Sequence, residues 1–438
     1  MNQYAAINSI SPSKTLPLRS FLLYICMLVG FGARGQSLPV LETGSQTPMP
    51  QSWIDRDTGH RIIHLISRGG DNKSFYFHNN PFIPARDGHP PLMIFYRHVP
   101  GQQGHQLFAL NKKSGTIKQL TNQSFVSGEI VGAKKREVYF QCRDSVFCTN
   151  VDSGIRRLIY VFPDSLRGGI STLNADESIL AGVISSPKER QLFHDHPDKQ
   201  SYFNLIYNAK LKRSLFTLNI KTGRLKLLFS DHAWLNHLQF SPTDPELLMF
   251  CHEGPWHKVD RIWTINIGKG NPVLMHHRTM NMEIAGHEFF SPDGKMIWYD
   301  LQKPRSTNFF VGGTNVRTLN EKSYRLTRDE WSVHYTISPD EKLFAGDGGD
   351  PGQVARAKDG MWIYLFHPEG DHFRAEKLVN MSHHNYHLEP NVHFSPDGKW
   401  VIFRANFEGH SDIYAVELSK KDSQQNNEFL SGRKNCLY

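Results

Sequence analysis

A short turn signature recurs along the chain and constrains its fold more than any other feature. It reads FSPTDP at 240–245, FSPDG at 290–294, ISPDE at 337–341 and FSPDG at 394–398, with a degenerate copy, LNADE, at 173–177. Proline fixes one turn dihedral, aspartate bonds back to nearby amides, and glycine supplies the positive φ that closes such turns. Each copy precedes a run rich in apolar, β-branched and aromatic residues: SILAGVI, ELLMFCH, KMIWYDL, KLFAGDG and KWVIFRA. After most of these comes a further hairpin, such as SLFTLNIKTGRLKLLF or RIWTINIGKGNPVLMH. Upstream, LMIFYRH with QLFALNKKSGTIKQL, and REVYFQCRDSVFCTNVDSGIRRLI, repeat the pattern without the Ser-Pro-Asp turn.

The turn serines fall at 241, 291, 338 and 395, spacings of 50, 47 and 57 residues. Units of this length, each holding several short strands, mark a β-propeller. Counting them gives about seven, and helical periodicity is scarce. The expected fold is therefore all-β, a seven-bladed β-propeller over residues 36–420. HRIIHLIS (60–67) is expected to supply the strand that closes the ring with the last blade.

The ends read differently. Arg19 precedes the apolar run FLLYICMLVGFG (21–32), which small residues follow at 33–35. That is the layout of a secretory signal, and the run is too short to span a bilayer. Residues 1–35 are expected to be removed near Gly35, giving a secreted or periplasmic protein with no stable membrane insertion. Loss of Lys14, Arg19 and Arg34 lowers the formal charge from +8 to +5. A moderately basic exported chain suits a polyanionic ligand. No basic cluster interleaved with aromatics points to nucleic acid. Cys142 and Cys148 in CRDSVFC are placed to bridge a hairpin, whereas Cys251 and Cys436 have no evident partner. Residues 421–438 form a polar tail.

Aligning the units on the turn serine exposes a register. Four residues before Ser241, Ser291 and Ser338 stand His237, His287 and His334. Before Ser395 the same place holds Asn391, with Glu389 two residues earlier and so on the same strand face. On the innermost strands of a propeller these positions converge around the central channel. Histidine with a carboxylate or amide is a natural set for Mn2+, Zn2+ or Ca2+. SHHNYH adds His383, His384 and His387 nearby. FAGDGGDPG (344–352) has too few spaced carboxylates for an EF-hand loop.

At this point the residues carry a resemblance. WLNHLQFSPTDPELLMFCHEGPWHKVDRIW (234–263), MEIAGHEFFSPDG (282–294), DEWSVHYTISPD (329–340) and HNYHLEPNVHFSPDGKWVIFRANFEG (384–409) resemble the oligogalacturonate lyase family, as does WIDRDTGHRI (53–62). The resemblance implies a seven-bladed propeller that cleaves short, often unsaturated, oligogalacturonides by β-elimination with a divalent metal, typically Mn2+. It implies His237 as the base, His287 as a metal ligand, and Arg213, with Lys212 as the alternative, as the substrate contact. The last blade departs from the family pattern, in which a Gln and a His-Pro-His segment supply ligands. Here Glu389 and Asn391 stand in that segment, and His384 or His334 would complete the set. His334, Lys212 and Arg261 are further candidates for substrate contact, Arg261 alternatively as an inter-blade partner of Asp260. His252 and Glu253 would shape the channel mouth or support the residues around it. The competing readings are a lyase for another uronate polymer and a non-catalytic periplasmic propeller binding glycans or proteins. A peptidase propeller is excluded, because no G-x-S-x-G elbow is present.

Overall fold

The computed structural model describes residues 37–66 and 71–420. The N-terminal apolar run with Cys26, the cleavage expected near Gly35, and the C-terminal tail with Cys436 lie outside the described residues. The turn signature dictates the local structure. Ser291 Oγ donates to Asp293 Oδ1 (2.7 Å) and accepts from the Met296 amide (3.0 Å), while Gly294 closes the turn at φ +71. Ser338 Oγ repeats the bond with Asp340 Oδ1 (2.6 Å), and Ser395 with Asp397 Oδ1. Each turn hands the chain from an innermost strand to its antiparallel neighbour.

Antiparallel meanders result, most of them four-stranded. The first is built on Leu92–His98 and His105–Asn111, with Ile117–Gln119 outside them and the short strands Asn72–Lys73 and Phe82–Ile83 on the other edge. The second runs through Val126–Gly132, Glu137–Cys142, Ser145–Asn150 and Arg156–Val161. The third uses Gly168–Leu173, Ile179–Ile184, Arg213–Asn219 and Leu225–Asp231, and the fourth Trp234–Phe240, Leu247–Glu253, Ile262–Asn266 and Pro272–Leu274. The fifth (284–326) and sixth (335–380) share one eight-stranded sheet through a single parallel bridge, Arg325 to His372. The closing sheet takes His393–Phe394, Trp400–Ala405 and Asp412–Glu417 from the end of the chain and Arg61–Ile66 from its beginning. The ring-closing strand expected from HRIIHLIS is therefore present. Its RIIHLI pattern alternates half-buried and buried, as period two requires.

The core lies between meanders rather than within them. Leu107 and Ile94 of the first pack on Val138 and Phe140 of the second; Tyr139 and Val146 meet Leu180 and Phe216 of the third. Leu215 meets Leu235 and Phe250; Met249 and Ile262 meet Ile297 and Tyr299; Val311 and Trp298 meet Tyr335 and Phe366. Leu365 then packs on Val401 and Phe403, and Ile402 and Ile413 on Met93 and Phe95, so the last sheet covers the first. Each such fully buried side chain contributes roughly 1.5–3 kcal/mol. The innermost strands surround a cavity of about 610 Å3 reached by Phe77, Ile130, Thr172, Gln239, Phe289, Thr336 and His393. Its wall on the turn side carries Pro242, Pro292, Pro339 and Pro396.

Two features depart from the sequence expectation. Two helices, α1 (Pro187–Asp195) and α2 (Lys199–Ala209), are inserted in the third meander. Their signals are caps rather than periodicity: Ser186 caps α1 with Pro187 behind it, and Asp198 Oδ1 accepts from the Ser201 amide (2.9 Å). Cys142 and Cys148 do not pair. The hairpin register sets Cys142 opposite Ser145 and Cys148 opposite Tyr139, so about three strand residues, roughly 10 Å, separate them. No helix among the described residues is long and apolar enough to cross a membrane.

Candidate active site

The histidine register read from the sequence is a repeated backbone distortion. His237 and His287 lie where the pairing of their strands slips by one residue, between Asn236 and Gln239 and between Gly286 and Phe289. Both adopt the left-handed region, φ 47 and φ 50, and Asn391 in the same register has φ 52. Such bulges re-aim a side chain, and non-glycine residues at positive φ cluster at functional sites. His334 keeps an ordinary φ. Its amide and its Nδ1 donate to the two oxygens of the fully buried Asp347 at 2.7 and 2.8 Å.

Behind His237 sits a buried charge network. Glu253 Oε2 lies 3.4 Å from His237 Nε2. Glu253 Oε1 accepts from Arg261 Nη1 (2.8 Å) and Trp256 Nε1 (3.1 Å), and Arg261 Nε reaches Glu288 Oε2 at 3.0 Å. Burial alone would raise the Glu253 pKa, but Arg261 and His237 hold the carboxyl well below its usual range. An ionised carboxylate accepts, so the Nε2 proton of His237 faces Glu253 and Nδ1 is left as the basic nitrogen. The backbone here is shaped for contact. Gly254, at φ +149, lies under the Tyr207 ring of α2, where a Cβ would come within 2.5 Å. Gly286 lies under Trp256, where a Cβ would meet the indole at 2.3 Å.

Two cavities meet at His237, whose side chain keeps 28% exposure. One, of about 550 Å3, is lined by Tyr76, Trp256, His287, Trp331, Gln353 and Glu389, with Lys199 and Phe203 of α2 and with Arg305. The other, of about 890 Å3, runs past His78, Asn236, Glu129 and Arg404. The His287 and His334 rings lie 4.6 Å apart, centroid to centroid, tilted by 57°, and Glu389 Oε2 is 3.8 Å from His334 Nε2. His287 Nδ1, His334 Nε2 and Gln353 Oε1 are buried without a protein hydrogen-bond partner. Desolvation, with His334 and Arg261 nearby, pushes the His287 pKa well below its ordinary value and keeps the ring neutral. Neutral imidazoles with unpaired nitrogens, an amide oxygen and a carboxylate are the donor types a divalent cation of the Mn2+ class accepts. Asp347 behind His334 is the orienting carboxylate such a ligand needs. Among the described residues no three His, Cys, Asp or Glu side chains are yet drawn into one coordination sphere.

His237, His287, His334 and Glu389 are thus brought together as the register requires. Other expected residues are not. The Arg213 guanidinium is consumed by Glu189 of α1 and the Leu235 carbonyl, and it is 7% exposed. Lys212 is exposed and lines neither cavity. Arg261 is buried behind the site, paired with Glu253 and Glu288 rather than with Asp260, which holds Arg278 and His277. His384 spends Nε2 on the Leu388 carbonyl (2.7 Å) and Nδ1 on the Asn406 amide (3.3 Å). Asn391 accepts from the Phe77 amide (2.9 Å) and donates to the Glu389 carbonyl (3.0 Å), so its carboxamide ties backbone rather than a ligand. His383 pairs with Glu42.

Sequence reasoning missed the segment 74–79. It is an irregular stretch whose Phe77 stacks on His334 at 4.6 Å and whose Tyr76 lies 6.2 Å from His237, ring to ring. His78 in the same segment is forced neutral, its pKa lowered to about 3 by burial and by His237, His334 and His393. The one signal was the aromatic density of SFYFHN, which carries no turn or strand period.

Comparison with known proteins places this site in context. Residues 44–423 match the family profile described as oligogalacturonate lyase. The oligogalacturonide lyase of Pectobacterium atrosepticum is 25% identical over 397 residues, spanning 86% of this chain and 98% of that protein. A solved oligogalacturonate lyase in complex with manganese superposes with a TM-score of 0.72 at 21% identity, over 84% of this chain and 96% of that one. The Cps50 (Swd1) β-propeller domain of Myceliophteria thermophila gives 0.50 at 8% identity, over 80% and 98%, a likeness of fold. With the profile covering all the meanders and the site, the chain belongs to the oligogalacturonate lyase family, polysaccharide lyases that act by β-elimination.

Proposed function

We propose that this protein is an exported lyase that cleaves short oligogalacturonides, unsaturated ones included, by metal-assisted β-elimination during pectin breakdown. One observation carries the reading: His237 stands half-exposed on the wall common to two cavities, with an ionised carboxylate at its Nε2. Seven antiparallel units of four to six strands, the closing sheet included and the fifth and sixth counted separately within their shared eight-stranded sheet, support a seven-bladed propeller as the frame. The apolar run at 21–32 supports export.

In this reading His237 Nδ1 takes the C5 proton of a 4-linked uronate. The released electron pair forms the C4=C5 bond, the C4–O bond breaks, and the departing oxygen collects a proton. Glu253 stabilises the imidazolium so formed, and Arg261 keeps Glu253 ionised. Tyr76 and Trp256 offer flat faces to the sugar rings, while Lys199 and Arg305 attract their carboxylates. His287, His334 and Glu389, with Gln353 as an oxygen donor, would hold a divalent cation, Mn2+ first and Ca2+ or Zn2+ as alternatives. When bound, that cation supplies positive charge to the C6 carboxylate and makes the C5 proton more acidic.

The test is to incubate the protein with unsaturated digalacturonate, longer oligogalacturonides and other uronate oligomers, with Mn2+ or with chelator. New C4=C5 bonds are followed by their near-ultraviolet absorbance. Turnover of the galacturonides, lost in His237→Ala while Mn2+ binding persists, is expected. A His237→Ala protein that still forms double bonds would remove the base, and turnover confined to another uronate would change the substrate.

A further inference from the structure

With Arg213 sealed against Glu189, a different cation is left facing the site. Arg404, on the second strand of the closing sheet, lines the cavity that runs from His237 past His78 and Glu129. Its Nε donates to the Glu389 carbonyl (2.7 Å) and its Nη1 to the Ser74 carbonyl (3.0 Å). Both partners are neutral. Among the described residues no carboxylate lies within ion-pair distance of Arg404, and its Nη2 has no protein hydrogen-bond partner. A half-buried guanidinium anchored by carbonyls, with Glu129, Glu389 and Asp347 near but none of them in ion-pair contact, keeps its Nη2 edge for an anion.

The surroundings have the same sign. Lys73 and Arg143 line the same cavity, against a single carboxylate, Glu129. Lys73 has Asp71 at 3.7 Å; Arg143 forms no ion pair among the described residues. Glu129 is occupied by the Tyr76 amide (2.8 Å) and Asn79 Nδ2 (2.9 Å), and burial raises its pKa.

We propose that Arg404 is the carboxylate-binding residue of a second sugar subsite, filled by the uronate adjoining the one that loses its proton. This rests on the lyase reading above. A chain of uronates that brings one C5 to His237 Nδ1 lays its neighbour along the cavity of Arg404, because the two cavities join at that histidine. The planar guanidinium matches a carboxylate two bonds at a time. The site thus selects oligomers over monomers by charge as well as by length.

The test uses the Mn2+-supplemented His237→Ala protein, which binds without turning over, titrated calorimetrically with galacturonate and with trigalacturonate. Adding Arg404→Gln is expected to weaken trigalacturonate about tenfold or more and to leave galacturonate unchanged. Arg404→Lys, which keeps a charge and the fold, should lose less. Equal weakening of both sugars would mean that Arg404 only latches the Glu389 and Ser74 carbonyls, and would overturn the subsite. So would trigalacturonate binding that no Arg404 substitution alters. If neither sugar binds, the lyase reading itself falls, and the subsite with it.

Discussion

Arg261 is the perturbation with the most to teach. Arg261→Met keeps most of the volume but leaves Glu253 and Glu288, 7% and 1% exposed, on either side of an apolar chain. Removing one partner of a buried ionic cluster costs about 3–5 kcal/mol, because the remaining charges stay desolvated. Over roughly 380 ordered residues the unfolding entropy near the midpoint is about 0.8 kcal/mol per degree, so the melting temperature should fall by about 4–6 °C. Catalysis should suffer separately. Without Arg261 the Glu253 carboxyl regains its proton and no longer accepts from His237 Nε2, so kcat should drop on the order of a hundredfold. Adding Glu288→Gln removes one stranded charge and should restore part of the melting temperature, but none of kcat. Calorimetry and the double-bond assay read the two effects independently. A melting temperature within 1 °C of wild type together with unchanged kcat would refute both the buried network and its support of the base.

Other outcomes follow from the same contacts. Gly286→Ala should drive Trp256 off its perch, destabilising by about 1–3 kcal/mol and shifting tryptophan fluorescence; an unaltered spectrum would contradict the 2.3 Å approach. Asp300, bonded to Trp331 Nε1 and Gln302 Nε2, has its pKa pushed up from 3.8 to about 7 by burial. The native state therefore holds its proton more tightly, and stability present below about pH 4 declines as pH rises through 7, by up to roughly 4 kcal/mol. Asp300→Asn should flatten that decline in chemical denaturation, and an identical slope would count against it. Arg213→Met should strand Glu189 and loosen α1 and α2, so that limited proteolysis within 187–209 accelerates; unchanged cleavage would mean that the pair does not anchor the insertion.

What the sequence disclosed was local in origin. The Ser-Pro-Asp turn is made by its own side chains, so its copies mark the strand pairs they join. His237, His287 and Asn391 are legible for the same reason: a fixed offset from the turn serine is a fixed place on the bulge. Long-range partners left no such trace. Glu288 reaches Arg261 from the next meander, and Glu189 reaches Arg213 from a helix with caps but weak amphipathicity. Arg404 offered no motif, since what distinguishes it is that, among the described residues, no carboxylate pairs with it directly. Cys142 and Cys148 looked like a bridge by spacing, and only the hairpin register separates them.

The pairing of Arg61–Ile66 with Asp412–Glu417 gives the molecule a schedule as well as a shape. A nascent chain has His237, His287 and His334 before it has the strand on which Arg61–Ile66 must dock. Until residue 417 is available, Ile62 and Ile66 carry apolar faces and an open hydrogen-bonding edge that invites the wrong partner. The seam is also where the site's last pieces, Glu389 and Arg404, are fixed. Synthesis through residue 417 and closure of the sheet that carries Arg404 are therefore one event, and a copy terminated before that strand leaves the sheet open.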